Sequence, residues 1–191
     1  MWVLEKKLVF SMILMFSLLI NPVIGASDSE IINLNGIVYS DGSVKLEYML
    51  QLNPVAARVN ITLLGDEFED LTVIDSNGLL LDHSVRGNNI TIDSLGSFSV
   101  NVSYFTSSLT SKTGSLWTLN LNTPSNIDIK LPVGATIVGL NPVPDGIGIS
   151  NNQAFLSMAS GEFSVTYVVS VTGIQNEAQN QIEEAQTAIN Q

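Results

Sequence analysis

Two stretches of the chain read almost alike and decide its fold: Gly96-Ser-Phe-Ser-Val100 and Gly161-Glu-Phe-Ser-Val165. In both, apolar side chains alternate with polar ones, and the alternation continues beyond each stretch. A period of two is typical of a β-strand with one buried face, because successive side chains of a strand point to opposite faces. Phe98 and Phe163 are therefore predicted to occupy equivalent positions in the core.

Most of residues 31–172 follow the same alternating pattern, interrupted by turn sequences. Asp41-Gly42 is a typical hairpin turn between two alternating runs, and further Asn-, Pro- and Gly-rich breaks follow at strand-length intervals. Strands with one polar face pack as antiparallel sheets, face to face. The sequence therefore predicts an all-β protein, an antiparallel β-sandwich with an Ig-like architecture.

The order of the strands predicts an internal tandem repeat, with copies at about residues 44–107 and 112–172. Tyr48 near the start of the first copy corresponds to Trp117 near the start of the second, and both are expected in the core. Ile31–Tyr39 is predicted to be an extra strand outside the repeat. A repeat of about 60 residues is small for an independent β-domain, so the two copies are expected to share a core or a substantial interface.

The N-terminal segment has the layout of a signal peptide, which is predicted to cover residues 1–25. A charged start ending at Lys7 precedes the apolar run Leu8–Ile20, and small residues at Gly25 and Ala26 provide a cleavage site. Two alternatives remain open, an uncleaved N-terminal anchor and a pilin-like signal. All three interpretations place the rest of the chain outside the cytoplasm, secreted or at the cell surface.

After Gly173 the pattern changes to that of an amphipathic α-helix over residues 174–190. Its thin apolar stripe is formed by Ile174, Ala178, Ile182, Ala185 and Ile189. The stripe is predicted to contact a partner protein or a second copy of the chain, and the alternative is that the helix frays or packs loosely against its own sandwich. Its polar positions carry no basic residue, which is not typical of a membrane-surface helix.

Composition excludes several classes of function. The formal net charge of −11 argues against nucleic acid and anionic lipid as partners, because both bind basic surfaces. With no cysteine, the chain has no disulfides and no thiolate metal site. The one histidine, His83, has no companion in any catalytic motif, so no catalytic residue and no cofactor is predicted. Membrane contact is predicted only if the N-terminal segment stays uncleaved.

An acidic run between two predicted strands provides the one metal hypothesis. Asp66, Glu67, Glu69 and Asp70 offer carboxylates of the kind that bind Ca²⁺, although they lack the regular spacing of a calcium loop. A solvated loop is the preferred interpretation of this run.

Three tripeptides have the form of N-glycosylation acceptors, at Asn60, Asn89 and Asn101. In each, the Asn and the hydroxyl residue share the strand face opposite an Ile or Val. A glycan there would leave the core undisturbed.

Two further stretches, Leu109–Leu119 and Leu131–Val138, resemble a pattern in archaeal exported cell-surface proteins. The resemblance covers roughly residues 40–190. It implies an exported β-sandwich ectodomain of uncharacterised function that precedes a helical or membrane-spanning part. The matching positions are structural, so the resemblance implies no site residues.

The first functional hypothesis is a non-enzymatic secreted or cell-envelope protein that contacts other proteins through its sandwich and its C-terminal helix. The alternative is an extracytoplasmic module that binds a ligand or glycan. A hydrolase with carboxylates assembled by the fold ranks last, because no nucleophile motif, metal cluster or phosphate loop is present.

Ending the chain at Gly173 tests the helix as the contact element. We expect the sandwich to stay folded, because the strand pattern ends before the helix, while self-association or a co-purifying partner is lost. Sedimentation and co-purification from the native envelope measure these two outcomes. An unchanged mass in solution together with unchanged co-purifying proteins would contradict the prediction.

Overall fold

The computed structural model describes residues 28–170, 178–179, 181–183 and 185–187, so the predicted signal peptide lies outside the described residues. Residues 28–170 are nearly all β. The strands are β1 (Ser29–Val38), β2 (Val44–Leu52), β3 (Arg58–Thr62), β4 (Glu69–Asp75), β5 (His83–Arg86), β6 (Asn89–Asp93), β7 (Ser99–Thr106), β8 (Thr110–Thr113), β9 (Leu116–Thr123), β10 (Ile127–Lys130), β11 (Ala135–Asn141), β12 (Gly146–Ser150), β13 (Gln153–Met158) and β14 (Gly161–Val169).

These strands form three sheets. The largest has seven strands in the order β12-β13-β10-β1-β2-β7-β4, the second has the order β11-β14-β9-β8, and the third β3-β6-β5. Neighbouring strands are antiparallel except for β1 and β10, which are parallel. The predicted all-β sandwich of antiparallel sheets is confirmed.

The pairing pattern of β1–β7 recurs in β8–β14. In the first half β1 pairs with β2, β2 and β4 with β7, and β3 and β5 with β6. In the second half β8 pairs with β9, β9 and β11 with β14, and β10 and β12 with β13. The register agrees as well, since Tyr48 lies opposite Val102 and Trp117 opposite Tyr167. The strand at Ile31–Tyr39 is therefore not extra, because β8 is its counterpart.

The strand order of each copy differs from that of an immunoglobulin domain. The first copy places β1-β2-β7-β4 over β3-β6-β5. In an immunoglobulin constant domain the fifth strand lies between the second and the fourth, and the seventh belongs to the three-stranded sheet. Here the fifth and seventh strands have exchanged places. The Ig-like prediction holds for the two-sheet architecture and not for the connectivity.

The parallel pair of β1 and β10 joins the two copies into one molecule. Asn35 lies opposite Asp128, and Gly36 lies opposite Ile129. A Cβ at Gly36 would lie 3.5 Å from Leu46 of the first copy and 3.6 Å from Ile127 of the second. The same face of the seven-stranded sheet therefore supplies the core of both copies. The largest fully buried side chains are Tyr48, Tyr104, Tyr167, Leu34, Leu46, Leu50, Leu63, Ile90, Ile92, Leu119, Ile127 and Ile129.

The prediction that Phe98 is a core residue is wrong. Phe163 is 5% exposed, whereas Phe98 is 67% exposed, although both lie at equivalent positions of the register. Phe163 is the third residue of β14, which follows β13 after Ala159 and Ser160. Phe98 precedes β7, at the end of the longer connection of residues 94–98. Phe98 thus lies outside any strand, in the longer of the two connections, and its ring is exposed.

Truncating these two rings is expected to have unequal effects. Phe163→Ala should lower the free energy of unfolding by about 3–5 kcal/mol, as for buried aromatic residues generally. Phe98→Ala should change it by no more than about 0.5 kcal/mol, as at a surface position. Urea denaturation measures both. Equal destabilisation by the two variants would contradict the exposed placement of Phe98.

A buried tyrosine pair fixes the chain between β3 and β4. The Tyr48 and Tyr104 hydroxyls are 3.3 Å apart, and the Leu64 N–H donates to both, at 3.1 and 2.9 Å. The Tyr104 hydroxyl also donates to the Leu64 carbonyl at 2.9 Å, and Phe68 meets the Tyr104 ring edge to face. Burial raises the pKa of both phenols. The pair therefore ties a loop of the first copy to the centre of its core.

This pair should make the protein sensitive to alkali. An unfolded tyrosine titrates near pH 10, and a folded pKa above that value means that the folded state holds the proton more tightly. The resulting stabilisation is present below about pH 10 and is lost as the pH rises further. Tyr104→Phe should lower the free energy of unfolding by about 1–3 kcal/mol at neutral pH, because Leu64 loses partners.

Urea denaturation of wild type and Tyr104→Phe on either side of pH 10 measures this sensitivity. Wild type should lose more stability on alkaline titration than the variant. Equal losses in the two proteins would show that the tyrosine pair does not cause the alkaline sensitivity.

Candidate functional site

A groove of about 450 Å³ lies on the outer face of the seven-stranded sheet, above the junction of the two copies. Three polar side chains form a row across the groove on adjacent strands. Asn35 of β1 lies between Asp128 of β10 and Glu47 of β2. The Ser157 hydroxyl donates a 2.6 Å hydrogen bond to Asp128 Oδ1. This polar row combines two carboxylates with an amide, and it exists only because the two copies pair.

A second row of the groove is apolar and basic. Phe155 is 39% exposed, and Lys130 Nζ lies 5.8 Å from the centroid of its ring. Ile37 follows on β1, and Lys45 on β2 forms an ion pair with Glu47 at 2.6 Å. A ring face beside hydroxyl, amide and carboxylate groups is an arrangement suited to binding a small polar ligand.

A second depression, of about 480 Å³, lies on the outer face of the four-stranded sheet. Its polar rim is formed by Asn120, Asn122, Asn141, Glu162 and Ser164. No exposed aromatic side chain lines it, and it lies within one copy rather than at the junction.

The copies also meet at the hairpin between β1 and β2. The Thr110 hydroxyl donates to the Gly42 carbonyl at 2.5 Å, and a Cβ at Gly42 would fall within 2.3 Å of the Trp117 ring. Lys112 also contacts this ring, because its Nζ lies 4.7 Å from the centroid of the Trp117 ring. The expectation that Tyr48 and Trp117 are core residues is correct for Tyr48, which is buried, and holds in part for Trp117, which is half-buried and packs against the core at the contact between the copies.

Strand β12 is the terminal strand of the seven-stranded sheet and is unusually apolar for an edge. Ile147 and Ile149 are 61% and 80% exposed, and Gly148 between them is exposed as well. Nearby Val143 is also exposed. The strand contains no charged residue and no proline. It therefore presents an unpaired backbone edge beside an apolar surface.

The structure does not support the calcium hypothesis. Asp66 and Glu67 are exposed in the loop before β4, while Glu69 and Asp70 are exposed on β4 itself. In the part of the chain that the structure describes, no three His, Cys, Asp or Glu side chains come together as a metal site. The four carboxylates of this run therefore do not converge on a common metal position.

The three predicted acceptor asparagines are all exposed on strands. Two of the tripeptides are paired across β3 and β6, so that each asparagine faces the threonine of the other. Thr91 Oγ1 donates to Asn60 Oδ1 at 2.5 Å, and Thr62 Oγ1 donates to Asn89 Oδ1 at 2.9 Å. Asn101 lies on β7, in the other sheet of the first copy. Glycosylation of these residues stays a prediction.

Residues 178–179, 181–183 and 185–187 are helical. Of the predicted stripe, Ala178, Ile182 and Ala185 are exposed, while Ile174 and Ile189 lie outside the described residues. Ile182 is 52% exposed, so its side chain is not buried against the sandwich. No helix within the described ranges is long and apolar enough to span a membrane. His83 is exposed on β5, with Nδ1 3.3 Å from the Leu81 carbonyl oxygen.

Sequence reasoning missed both the groove and β12. The groove depends on a parallel pair between strands far apart in sequence, and no local signal indicates such a pair. For β12 a signal was present, since Gly146-Ile-Gly-Ile-Ser150 alternates without a charge after the break at Pro144-Asp145. An uncharged alternating strand of that length indicates an edge open to pairing.

Comparison with known proteins gives no family. No protein-family model and no curated protein matches the sequence. Among solved structures, the M1 zinc metallopeptidase from Deinococcus radiodurans is similar over 77% of this chain and 44% of that chain, with a TM-score of 0.45 and 10% identity. A mutant of the same enzyme is similar over 78% and 44%, with a TM-score of 0.45 and 11% identity. The chain spans less than half the length of these enzymes, and such a distant likeness has no bearing on its activity.

Replacing Gly42 tests the contact between the copies, with Gly78 as a matched control. Both glycines have positive φ, 90° and 81°, but a Cβ at Gly78 would meet nothing within 4 Å. Gly78→Ala should cost about 1–3 kcal/mol of unfolding free energy, from backbone strain alone. Gly42→Ala should cost more, because its Cβ displaces the Trp117 ring.

Urea denaturation compares the two costs, and Trp117 fluorescence in a Trp2→Phe background reports the ring. A change of the emission maximum is expected for Gly42→Ala and not for Gly78→Ala. Identical behaviour of the two variants would contradict the packing of the hairpin on Trp117.

Proposed function

We propose that the chain is a non-enzymatic secreted or cell-envelope protein that binds another polypeptide by strand addition along β12. The observation that carries the proposal is the exposed, uncharged edge of β12, with Ile147 and Ile149 on one of its faces. An extended segment added there would pair with the free backbone groups and cover the two isoleucines. In such complexes main-chain hydrogen bonds give affinity, and alternate side chains give specificity.

The other sheet edges of the described residues carry features that oppose such pairing. Charged residues are present on β3, β4, β5 and β8, and register shifts interrupt β4 and β11. Charges and bulges on edge strands are known protection against unwanted strand pairing. β12 has neither. This contrast supports a binding role for β12 rather than an accident of composition.

The charge distribution of the chain also favours β12 as the binding edge. The chain carries a formal net charge of −11, so most of its surface repels another acidic protein. β12 is uncharged, and its nearest carboxylate is Asp145, just before the strand. An apolar extended segment can therefore approach β12 at little electrostatic cost.

Cross-linking in the exporting cell tests the proposal, because the chain has no native cysteine. A photoreactive label on Ser150→Cys should give an adduct with a partner polypeptide or with a second copy. Ile149→Lys should abolish the adduct, because a charged side chain on this face opposes its burial by a partner strand. The variant should still fold, because Ile149 is exposed. Val138→Lys, at the exposed bulge of β11, is the matched control and should leave the adduct intact.

Circular dichroism of each variant verifies the fold. The proposal is wrong if Ile149→Lys forms the adduct at the wild-type level. It is also wrong if a label at Ser111→Cys, on the β8 edge, yields the same adduct in equal amount.

The groove favours a second candidate function, a glycan- or ligand-binding module. Its exposed Phe155 ring beside Asp128 and Asn35 is the observation that supports it. A carbohydrate array should then show saturable binding that Phe155→Ala removes and Ile149→Lys does not. Absence of saturable binding would leave the β12 proposal standing alone.

A further inference from the structure

The first copy ends in an exposed apolar tip, formed by residues 53–57 and 94–98. Val55 is 86% exposed, Leu95 72% and Phe98 67%. Ser94 holds the two loops together, because its hydroxyl donates to the Ala56 carbonyl and its N–H donates to the Ala57 carbonyl at 3.0 Å. The three large apolar side chains therefore project from one braced structure and not from independent loops.

The apolar tip is free of charge in an otherwise acidic protein. Neither loop contains an acidic or basic residue. The nearest charges lie at the base, where Arg58 Nε and Asp93 Oδ1 are 2.7 Å apart and Asp28 is exposed beside Asn53. A surface of this kind can enter a low-dielectric environment without burying an ion.

The backbone of the tip holds Leu95 in an unfavourable conformation. Leu95 has φ 50° and the following Gly96 has φ 81°, and the Ser97 N–H donates to the Ser94 carbonyl across this turn. Gly, Asn and Asp are the residues that such a turn favours, and a leucine there is strained. The turn holds a large apolar side chain exposed at a cost in backbone strain, and such strain clusters at binding and active sites.

The N-terminal end of the described chain lies against the same tip. The Asn53 N–H donates to the Asp28 carbonyl at 3.0 Å, and Ser29 lies opposite Leu52. Only residues 21–27 separate this point from the apolar run Leu8–Ile20. Even fully extended, those residues span at most about 25 Å.

We propose that the apolar tip rests on the lipid bilayer that the run Leu8–Ile20 enters, with Val55, Leu95 and Phe98 among the headgroups. The proposal takes the anchor alternative for the N-terminal segment, and it goes beyond the role of β12. The short connection holds the tip near the bilayer, and the apolar side chains partition into the interface. Neutral phospholipids suit the tip, since the acidic protein is repelled by an anionic surface.

This orientation leaves β12 at the far end of the molecule. Through the register of the seven-stranded sheet, Ile149 lies level with the end of β1, roughly 30 Å along the strands from Ser29. The edge available for strand addition then faces away from the bilayer.

Depth-dependent fluorescence on the full chain tests the proposal. The 191-residue chain is synthesised with phosphatidylcholine vesicles present, with one cysteine at Val55, Leu95 or Ile149 labelled with an environment-sensitive dye. Vesicles that contain doxyl-labelled phosphatidylcholine should quench the label at Val55→Cys and Leu95→Cys several-fold more than at Ile149→Cys. Ile149 is the matched control, because its exposure is comparable and it lies far from the tip.

A second variant separates lipid contact from folding. Leu95→Asn combined with Phe98→Ser should leave the melting temperature unchanged or raise it, because asparagine suits the left-handed turn, while the Val55→Cys label loses its quenching. Replacing part of the phosphatidylcholine by phosphatidylglycerol should not increase the quenching.

The proposal is overturned if the labels at Leu95→Cys and Ile149→Cys are quenched alike. It is also overturned if the tip label is shielded without quenching by doxyl lipid, which would mean that the tip is covered by a second copy or by the run itself.

Discussion

The parallel pairing of β1 with β10 is the constraint on which the rest of the molecule depends. It is the one parallel pair among otherwise antiparallel neighbours in the described sheets, and it joins strands that belong to different copies. Gly36 lies at this pair, where a Cβ would be in van der Waals contact with Leu46, Ile127 and Ile129, so side chains of both copies meet there. Without this pair the chain would be two small sandwiches, each near the lower size limit for stability.

Several features at a distance follow from the same pair. It brings Asn35 beside Asp128 and so creates the groove. It merges the three-stranded sheet of the second copy with the four-stranded sheet of the first, and β12 is an outer edge of the merged sheet. It also brings the Gly42 hairpin against Trp117, so that the copies are held at a second point.

The two copies share one pairing pattern but expose different apolar surfaces. The first copy contains the Tyr48–Tyr104 pair and a long connection before β7, which produces the exposed tip at Leu95 and Phe98. The second copy has a short connection before β14, which keeps Phe163 in the core, and it presents the uncharged edge of β12. The shared pairing pattern thus carries two different apolar surfaces, at opposite ends of the strands.

The sequence by itself determined what short-range patterns can determine. Period-two alternation specified strands, and half-polar faces specified antiparallel sheets in a sandwich. The matching order of Tyr48 and Trp117 revealed the repeat, because equivalent strands need equivalent spacing. The apolar stripe around Ile182 indicated a helix, since its period depends on neighbours a few positions away.

The tertiary structure alone decided everything that depends on strands meeting over long sequence distances. Phe98 and Phe163 have the same local sequence, yet Phe98 lies in a longer connection and is exposed, whereas Phe163 lies within β14 and is buried. Trp117 repeats the position of Tyr48, yet the neighbouring copy places it at a contact between copies. The groove arises from the β1–β10 pair, whose backbone hydrogen bonds can join almost any two strands. Backbone pairing has no side-chain code of its own, so the choice of partner strand became visible only when the whole chain had folded.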